Sequence, residues 1–94
     1  MAIKYVYSGD TLSADFPRNA DGPDSHVLEY MRSFEPAAFA YKVYDPVAGE
    51  ITDIDLIAYT DGVWGWDESD IYLYEKYGLA LDDGFLKAVG KGAI

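Results

Sequence analysis

Two extended segments on either side of a turn-forming loop constrain the fold more than any other feature of the sequence. Residues 37–44 and 51–59 alternate along the chain and are rich in β-branched and aromatic residues, which is typical of β-strands. The loop between them, residues 45–50, contains Pro46 and Gly49, as a longer hairpin loop requires. The sequence therefore predicts a central antiparallel hairpin over residues 37–59.

The second strand of this hairpin has apolar residues on both faces but carboxylates on only one. Side chains alternate between the two faces of a strand, so Ile54 and Leu56 share one face and Asp53 and Asp55 share the other. We expect the face with Ile54 and Leu56 to point into the core. Asp53 and Asp55 then project together into water, about 6.6–6.8 Å apart, which is the rise of two strand residues.

The residues before the hairpin predict one strand and one helix. Residues 2–8 alternate with a period of two and contain many strand formers. Asp24 or Ser25 is a suitable N-cap for a helix over residues 26–34, because a short side-chain oxygen can accept from the unpaired amides of the first turn. Pro36 ends this helix, since it disfavours helical backbone at the residue before it.

The residues after the hairpin predict a short extended piece and two helices. Trp64 and Trp66 lie on the same face if the extended piece is a strand. Acidic residues then open a helix that Gly78 ends, and a last short helix runs to Val89. The order of elements predicts a single α+β domain over residues 1–94, with a small antiparallel β-sheet of about three strands and two or three short helices packed on one face.

The charge balance indicates the chemistry of a partner. Seventeen acidic residues against seven Lys or Arg give a formal net charge of −10, beyond the magnitude of about 2–8 that keeps a small domain in solution. A partner lined with Lys and Arg is one reason for the excess, because complementary potentials speed association and fix its register. The alternative is that acidity only solvates an aromatic-rich domain. Direct binding of nucleic acid is disfavoured, since the sequence has no basic patch.

The sequence offers little for catalysis or metal binding. Its one histidine, His26, stands at a predicted helix start, and the chain has no phosphate-binding glycine loop and no His-Glu-x-x-His motif. Asp53 and Asp55 begin like a calcium loop, but a straight strand does not wrap two carboxylates around an ion. The chain has no cysteine and therefore no thiolate site. We expect no catalytic residue, no metal site and no cofactor.

The acidic half of the chain provides the candidate binding surface. The segment from Val43 to Glu75 contains nine acidic residues and no Lys or Arg. The two tryptophans of the chain lie among these carboxylates, and Trp and Tyr dominate binding hot spots. The competing interpretation is that at least one Trp belongs to the core. The predicted partner-binding residues are Asp53, Asp55, Asp61, Trp64, Trp66, Asp67, Glu68 and Asp70.

In size, acidity and absence of catalytic motifs, the chain resembles the small phage-encoded anti-CRISPR inhibitors, a resemblance of type that covers no diagnostic motif. This resemblance implies a DNA mimic that blocks the binding of target or PAM DNA by a Cas effector complex. The chain is also similar to the immunity proteins that neutralise bacterial nuclease toxins. An acidic interaction domain without an inhibitory role is the third hypothesis.

The predicted function is a non-catalytic inhibitor that binds a Lys/Arg-rich surface on a Cas effector subunit or a nuclease. We expect it to contact neither nucleic acid nor membrane, since no apolar run approaches the roughly 18 residues of a membrane span. We also expect a monomer or weak dimer in the cytoplasm of the host bacterial cell.

Overall fold

The part of the chain that the structure describes contains four strands and three helices. The structure is a computed structural model that describes residues 3–19, 22–36 and 38–89, with the backbone alone for residues 38–40. The elements are β1 (Lys4–Tyr5), α1 (Ser25–Arg32), β2 (Ala38–Asp45), β3 (Glu50–Thr60), β4 (Trp64–Asp67), α2 (Glu68–Tyr77) and α3 (Asp83–Val89). The predicted α+β class is confirmed.

The strands form one mixed sheet in the order β1-β4-β3-β2. The predicted hairpin is the antiparallel pair β2 and β3, with Asp45 opposite Glu50 at its turn. Strand β4 pairs antiparallel with β3, whereas β1 pairs parallel with β4, placing Tyr5 opposite Gly65. The prediction of an antiparallel sheet of about three strands was wrong in strand number and in direction, since the sheet has four strands and one parallel pair. The reason is that the first strand pairs with a segment far along the chain instead of with a sequence neighbour.

The helices begin and end at the residues whose side chains favour those positions. Asp24 is the N-cap of α1 and accepts a hydrogen bond from the His26 amide at 2.8 Å. Helix α2 follows β4 directly, with Asp67 as its N-cap and Gly78 as a left-handed C-cap. The Leu79 amide donates to the Leu73 carbonyl at 3.2 Å, which completes the turn after this cap.

The three helices pack on one face of the sheet, as predicted. On β4, Trp64 and Trp66 share the covered face, where the ring of Trp66 lies 5.7 Å from that of Phe85. The core is built from all three helices, β4 and the connecting segments, including Val6 directly after β1. Its buried apolar residues are Val6, Phe16, Val27, Met31, Trp66, Ile71, Leu73, Tyr74, Leu79, Leu81 and Phe85.

The opposite face of the sheet, which we call the open face, is not covered by any described helix. Gly65 alternates with the two tryptophans and therefore lies on this face, together with its neighbours Tyr5 and Thr60. Ile54 and Leu56 alternate with Thr60 along β3 and belong to the same face. The prediction that they enter the core was wrong, since Ile54 is 39% exposed and neither residue joins the core.

The turn between β2 and β3 is fastened to α2 by a buried carboxylate. Asp45 is 1% exposed and accepts hydrogen bonds from the hydroxyls of Tyr72 and Tyr77 at 2.6 and 2.7 Å. Its second oxygen accepts the amides of Val47 and Ala48, both at 2.9 Å. The hairpin therefore has a fixed orientation relative to the helical layer.

Candidate functional site

The hairpin carboxylates lie where the sequence predicts them, at the surface. Asp53 and Asp55 are both exposed. Lys42 on the neighbouring strand donates to Asp55 at 2.6 Å, and the charge of Asp53 also acts on this lysine. Asp55 is thus partly neutralised within the hairpin, while Asp53 and the exposed Glu50 are not in any ion pair found among the described residues.

Asp61 is committed to the turn between β3 and β4. One of its oxygens accepts the amides of Val63 and Trp64 at 2.8 and 2.6 Å, and the other accepts the Tyr30 hydroxyl. Burial acts to raise the pKa of Asp61, but the hydrogen bonds from Trp64, Tyr30 and Val63 outweigh it and lower the pKa. This carboxylate holds the turn against α1.

The two tryptophans are part of the helix-covered layer. Trp66 is 3% exposed and its indole nitrogen donates to the Met31 carbonyl at 3.0 Å. Trp64 is half-buried against Phe85, with the Lys4 ammonium 5.6 Å from its ring. The competing interpretation that at least one Trp lies in the core is therefore correct, and the ring of Trp66 is not available to a partner.

Glu68 is on the same side of the sheet as the tryptophans. It accepts the Tyr59 hydroxyl at 2.6 Å, and Tyr59 stacks on Trp66. Arg32 forms an ion pair with Glu75 at 2.7 Å, and its pKa is raised by this partner and also by the charge of Glu68. Glu68 therefore belongs to a small network beside α1 and is separate from Asp53 and Asp55.

Asp67 and Asp70, which we call the acid pair, lie together at the start of α2 on the open face. Asp67 accepts the Asp70 amide at 3.0 Å and Asp70 accepts the Asp67 amide at 3.1 Å, so the two form a capping box. Burial raises the pKa of both carboxyls, and the charge of Asp67 raises that of Asp70 further. Two carboxyls placed this close together favour one retained proton between them.

A pocket of about 310 Å³ opens on the open face beside the acid pair. Its apolar wall is formed by Ile3, Tyr5 and Tyr7, from the first strand and the residues on either side of it. Its floor includes Ala58, Thr60 and Gly65 from β3 and β4. The lining residues among the described part of the chain include the two carboxyls of the acid pair and no Lys, Arg or His.

Two glycines shape this pocket. A Cβ atom at Gly65 would lie 3.1 Å from Ile3 Cγ2 and 3.2 Å from the Tyr5 ring, so glycine lets both side chains lie down on the sheet. A Cβ atom at Gly9 would overlap the Tyr7 hydroxyl oxygen, so the Tyr7 side chain reaches over this residue only because it is glycine. The close approach of aromatic rings to glycine thus defines the pocket walls.

No family model, curated protein or solved structure matches the chain.

The described residues contain neither a helix of sufficient length and apolar character to cross a membrane nor a group of three or more His, Asp or Glu side chains placed to hold a metal ion.

The structure thus divides the predicted site residues between the two sides of the sheet. Asp61, Trp64, Trp66 and Glu68 are used in packing and hydrogen bonds on the helix-covered side. The acid pair comes together with Tyr5 and Tyr7, which the sequence reasoning did not include. One feature of the sequence could have indicated a second apolar surface: β3 has apolar residues on both faces, and a single helical layer covers only one of them.

Proposed function

We propose that the chain is a non-catalytic inhibitor that binds a Lys/Arg-lined, nucleic-acid-binding surface of another protein, with a Cas effector complex as the target class. Nucleic-acid-binding proteins line their grooves with Lys and Arg to meet the phosphate charge. A folded domain that presents carboxylates can occupy such a groove and exclude DNA from it. The chain would then act as a DNA mimic.

The observation that carries the proposal is that the basic side chains contact acidic or aromatic residues of the chain itself. Among the described residues, each of Arg32, Lys42, Lys76 and Lys87 forms an ion pair with an acidic residue. Lys4 lies over the Trp64 ring, and Arg18 lies over the Phe16 and Tyr77 rings. Each of these six cations is therefore engaged with an acidic or aromatic side chain of the chain itself, and acidic residues remain in excess.

The exposed carboxylates of β3 supply the part of the surface that faces a basic groove. Glu50, Asp53 and Asp55 all lie at the surface of this one strand. Long-range attraction between such a row and a Lys/Arg surface speeds encounter and weakens as salt screens it. The proposed inhibitor therefore competes with DNA by charge, and its affinity depends on ionic strength.

A displacement assay tests the proposal. Labelled target DNA carrying a PAM is bound to a guide-loaded Cas effector complex, and the chain is titrated in while fluorescence anisotropy reports the bound DNA. We expect the chain to displace DNA at low salt and to lose potency as NaCl is added. A chain that leaves the DNA bound at every salt concentration, for each effector type assayed, contradicts the proposal.

Two charge-matched double variants locate the interaction. Asp53→Lys with Asp55→Lys reverses the hairpin carboxylates, and Glu29→Lys with Glu35→Lys makes the same change in net charge at exposed positions on and after α1. We expect about a tenfold loss of potency for the hairpin variant, equivalent to about 1.4 kcal/mol, and a much smaller loss for the control. Equal losses would assign the effect to net charge alone. If the chain instead rescues cells from a nuclease toxin and has no effect on a Cas effector, the target is a nuclease.

A further inference from the structure

We propose that the pocket on the open face receives the side chain of an arginine from the basic partner, with the guanidinium group against the acid pair and between the rings of Tyr5 and Tyr7. This inference rests on the proposed function, since it specifies how such a partner is held once charge has brought it close.

The size of the pocket suits one long side chain. A volume of about 310 Å³ is at the lower limit of pockets that bind small ligands, which run from about 300 to 1,000 Å³. The pocket is formed by β1, β3, β4 and the start of α2 together with residues flanking β1, and Gly65 allows Ile3 and Tyr5 to lie close above the floor. Side chains held on strands provide a rigid receptor for a single inserted group.

The charge of the pocket selects a cation. Asp67 and Asp70 both line it, Asp10 is close enough for its charge to act on Tyr7, and no described lining residue is basic. Two carboxyls so close together need either a shared proton or an added positive charge. An arriving guanidinium supplies that charge, and it leaves the capping-box hydrogen bonds to the backbone amides in place.

The aromatic walls select arginine over lysine. Tyr5 lines the pocket beside Gly65 and is 64% exposed, so much of its ring is open to a partner. A guanidinium is planar, stacks on aromatic faces and donates in pairs to carboxylates, whereas an ammonium is a compact and strongly hydrated charge. Covering the exposed Tyr5 ring also removes apolar surface from water, which favours the longer and flatter side chain.

A peptide titration tests this inference without any knowledge of the partner. The probe is the capped peptide acetyl-Gly-Arg-Gly-amide, and the readout is the set of amide signals in a ¹H–¹⁵N NMR spectrum of the full chain. We expect saturable shifts at Gly65, Asp67 and Tyr5. The same peptide with citrulline keeps the shape without the charge and should give no saturable shift, and the lysine peptide should bind at least about threefold more weakly.

Matched variants separate the pocket from general attraction. Asp70→Asn removes one charge of the acid pair and keeps an oxygen that can accept the Asp67 amide, whereas Asp53→Asn removes one charge on the hairpin. Tyr5→Ala removes an exposed ring from the pocket, whereas Tyr41→Ala removes one that is 77% exposed on β2. We expect about a tenfold loss of arginine-peptide affinity for Asp70→Asn and Tyr5→Ala, and less than about a twofold loss for both controls.

Each result decides the question. Equal binding of the arginine and citrulline peptides, equal binding of the lysine peptide, shifts confined to the hairpin, or equal losses for Asp70→Asn and Asp53→Asn would each overturn the inference. Because the assay contains no partner protein, arginine binding without DNA displacement would overturn the proposed function alone. DNA displacement that survives Tyr5→Ala and Asp70→Asn would overturn the pocket alone.

Discussion

Asp45 shows how one carboxylate in a strongly acidic chain becomes a structural residue. Burial alone raises the pKa of this carboxyl, but hydrogen bonds from the Ala48 amide, the hydroxyls of Tyr72 and Tyr77 and the Val47 amide outweigh it. The pKa is therefore held well below its ordinary value. Lys76 adds a longer ion pair at 3.4 Å. This residue contributes to stability and presents no charge to a partner.

We predict that Asp45→Asn lowers the free energy of unfolding by about 2 kcal/mol at neutral pH, because it removes the charge that the surrounding donors face. Urea denaturation measures the change, with Asp53→Asn as the exposed control. A folded-state pKa below the unfolded value gives stability that is present above about pH 4 and lost as the pH falls further. The deficit of the variant should therefore shrink below about pH 4. An equal cost for the two substitutions would contradict the role of Asp45.

Asp70 has the opposite dependence on pH. Its pKa is raised by burial and then by the charge of Asp67, so the folded state holds a proton that the unfolded chain releases. Stability should fall as the pH rises from about 4 through the raised pKa. Asp70→Asn keeps the cap acceptor and abolishes the ionisation. We predict that the variant is more stable than the parent at pH 8 by an amount on the order of 1 kcal/mol, with no advantage near pH 4.

Melting temperatures measured from pH 4 to 8 check this expectation. Asp53→Asn provides the control, because its carboxylate is exposed and has no capping role. If Asp70→Asn is less stable than the parent at pH 8, the carboxylate of Asp70 is needed as an ionised cap and the assignment of a retained proton is wrong.

At the scale of elements, the C-cap of α2 joins the helix to the loop that precedes α1. Gly78 has a φ of 75°, and a Cβ atom there would lie 3.3 Å from the Asn19 carbonyl oxygen. Gly49 in the hairpin turn has a similar φ of 69° and open space around it. Alanine substitutions at Gly78 and Gly49 therefore separate the free-energy cost of left-handed backbone from that of a close contact.

We predict that Gly78→Ala lowers the free energy of unfolding by about 1–2 kcal/mol, since alanine is strained at positive φ and its methyl group also meets the Asn19 carbonyl. Gly49→Ala should cost less, because it has only the first of these effects. Urea midpoints of the two variants give the comparison. Equal midpoints would show that the loop around Asn19 moves away without cost.

These caps and the hairpin could be predicted from the sequence because their causes are local. Asp24 and Gly78 act within a turn of their own position, and the loop with Pro46 joins strands that are neighbours in the chain. The parallel pairing of β1 could not be predicted, since two strand residues carry no signal for a partner sixty positions away. Alternation also does not indicate which face of β3 the helices cover. The exposure of Ile54 and the position of the acid pair on the open face therefore could not be predicted.

At the scale of the whole molecule, the net charge of −10 opposes the compact state. Added salt screens this repulsion. We predict that moving from low to physiological ionic strength raises the melting temperature by about 5 °C, the shift that corresponds to about 1 kcal/mol in a domain of this size. Calorimetry on the chain alone tests this, and the Glu29→Lys, Glu35→Lys variant should show a smaller rise. A melting temperature that falls with salt would mean that the ion pairs outweigh the repulsion.

Salt is therefore expected to act on folding and on the proposed binding in opposite directions. A loss of DNA displacement at high salt then cannot be assigned to unfolding of the inhibitor, because the fold is more stable there. Melting curves recorded in the displacement buffer make this separation direct.

The pairing of β1 with β4 also has a consequence for synthesis on the ribosome. Lys4 and Tyr5 are translated sixty residues before their partners Trp64 and Gly65. The first strand must therefore wait unpaired while the hairpin and β4 emerge. The wall of the pocket that carries Tyr5 is accordingly completed only once β4 has been translated.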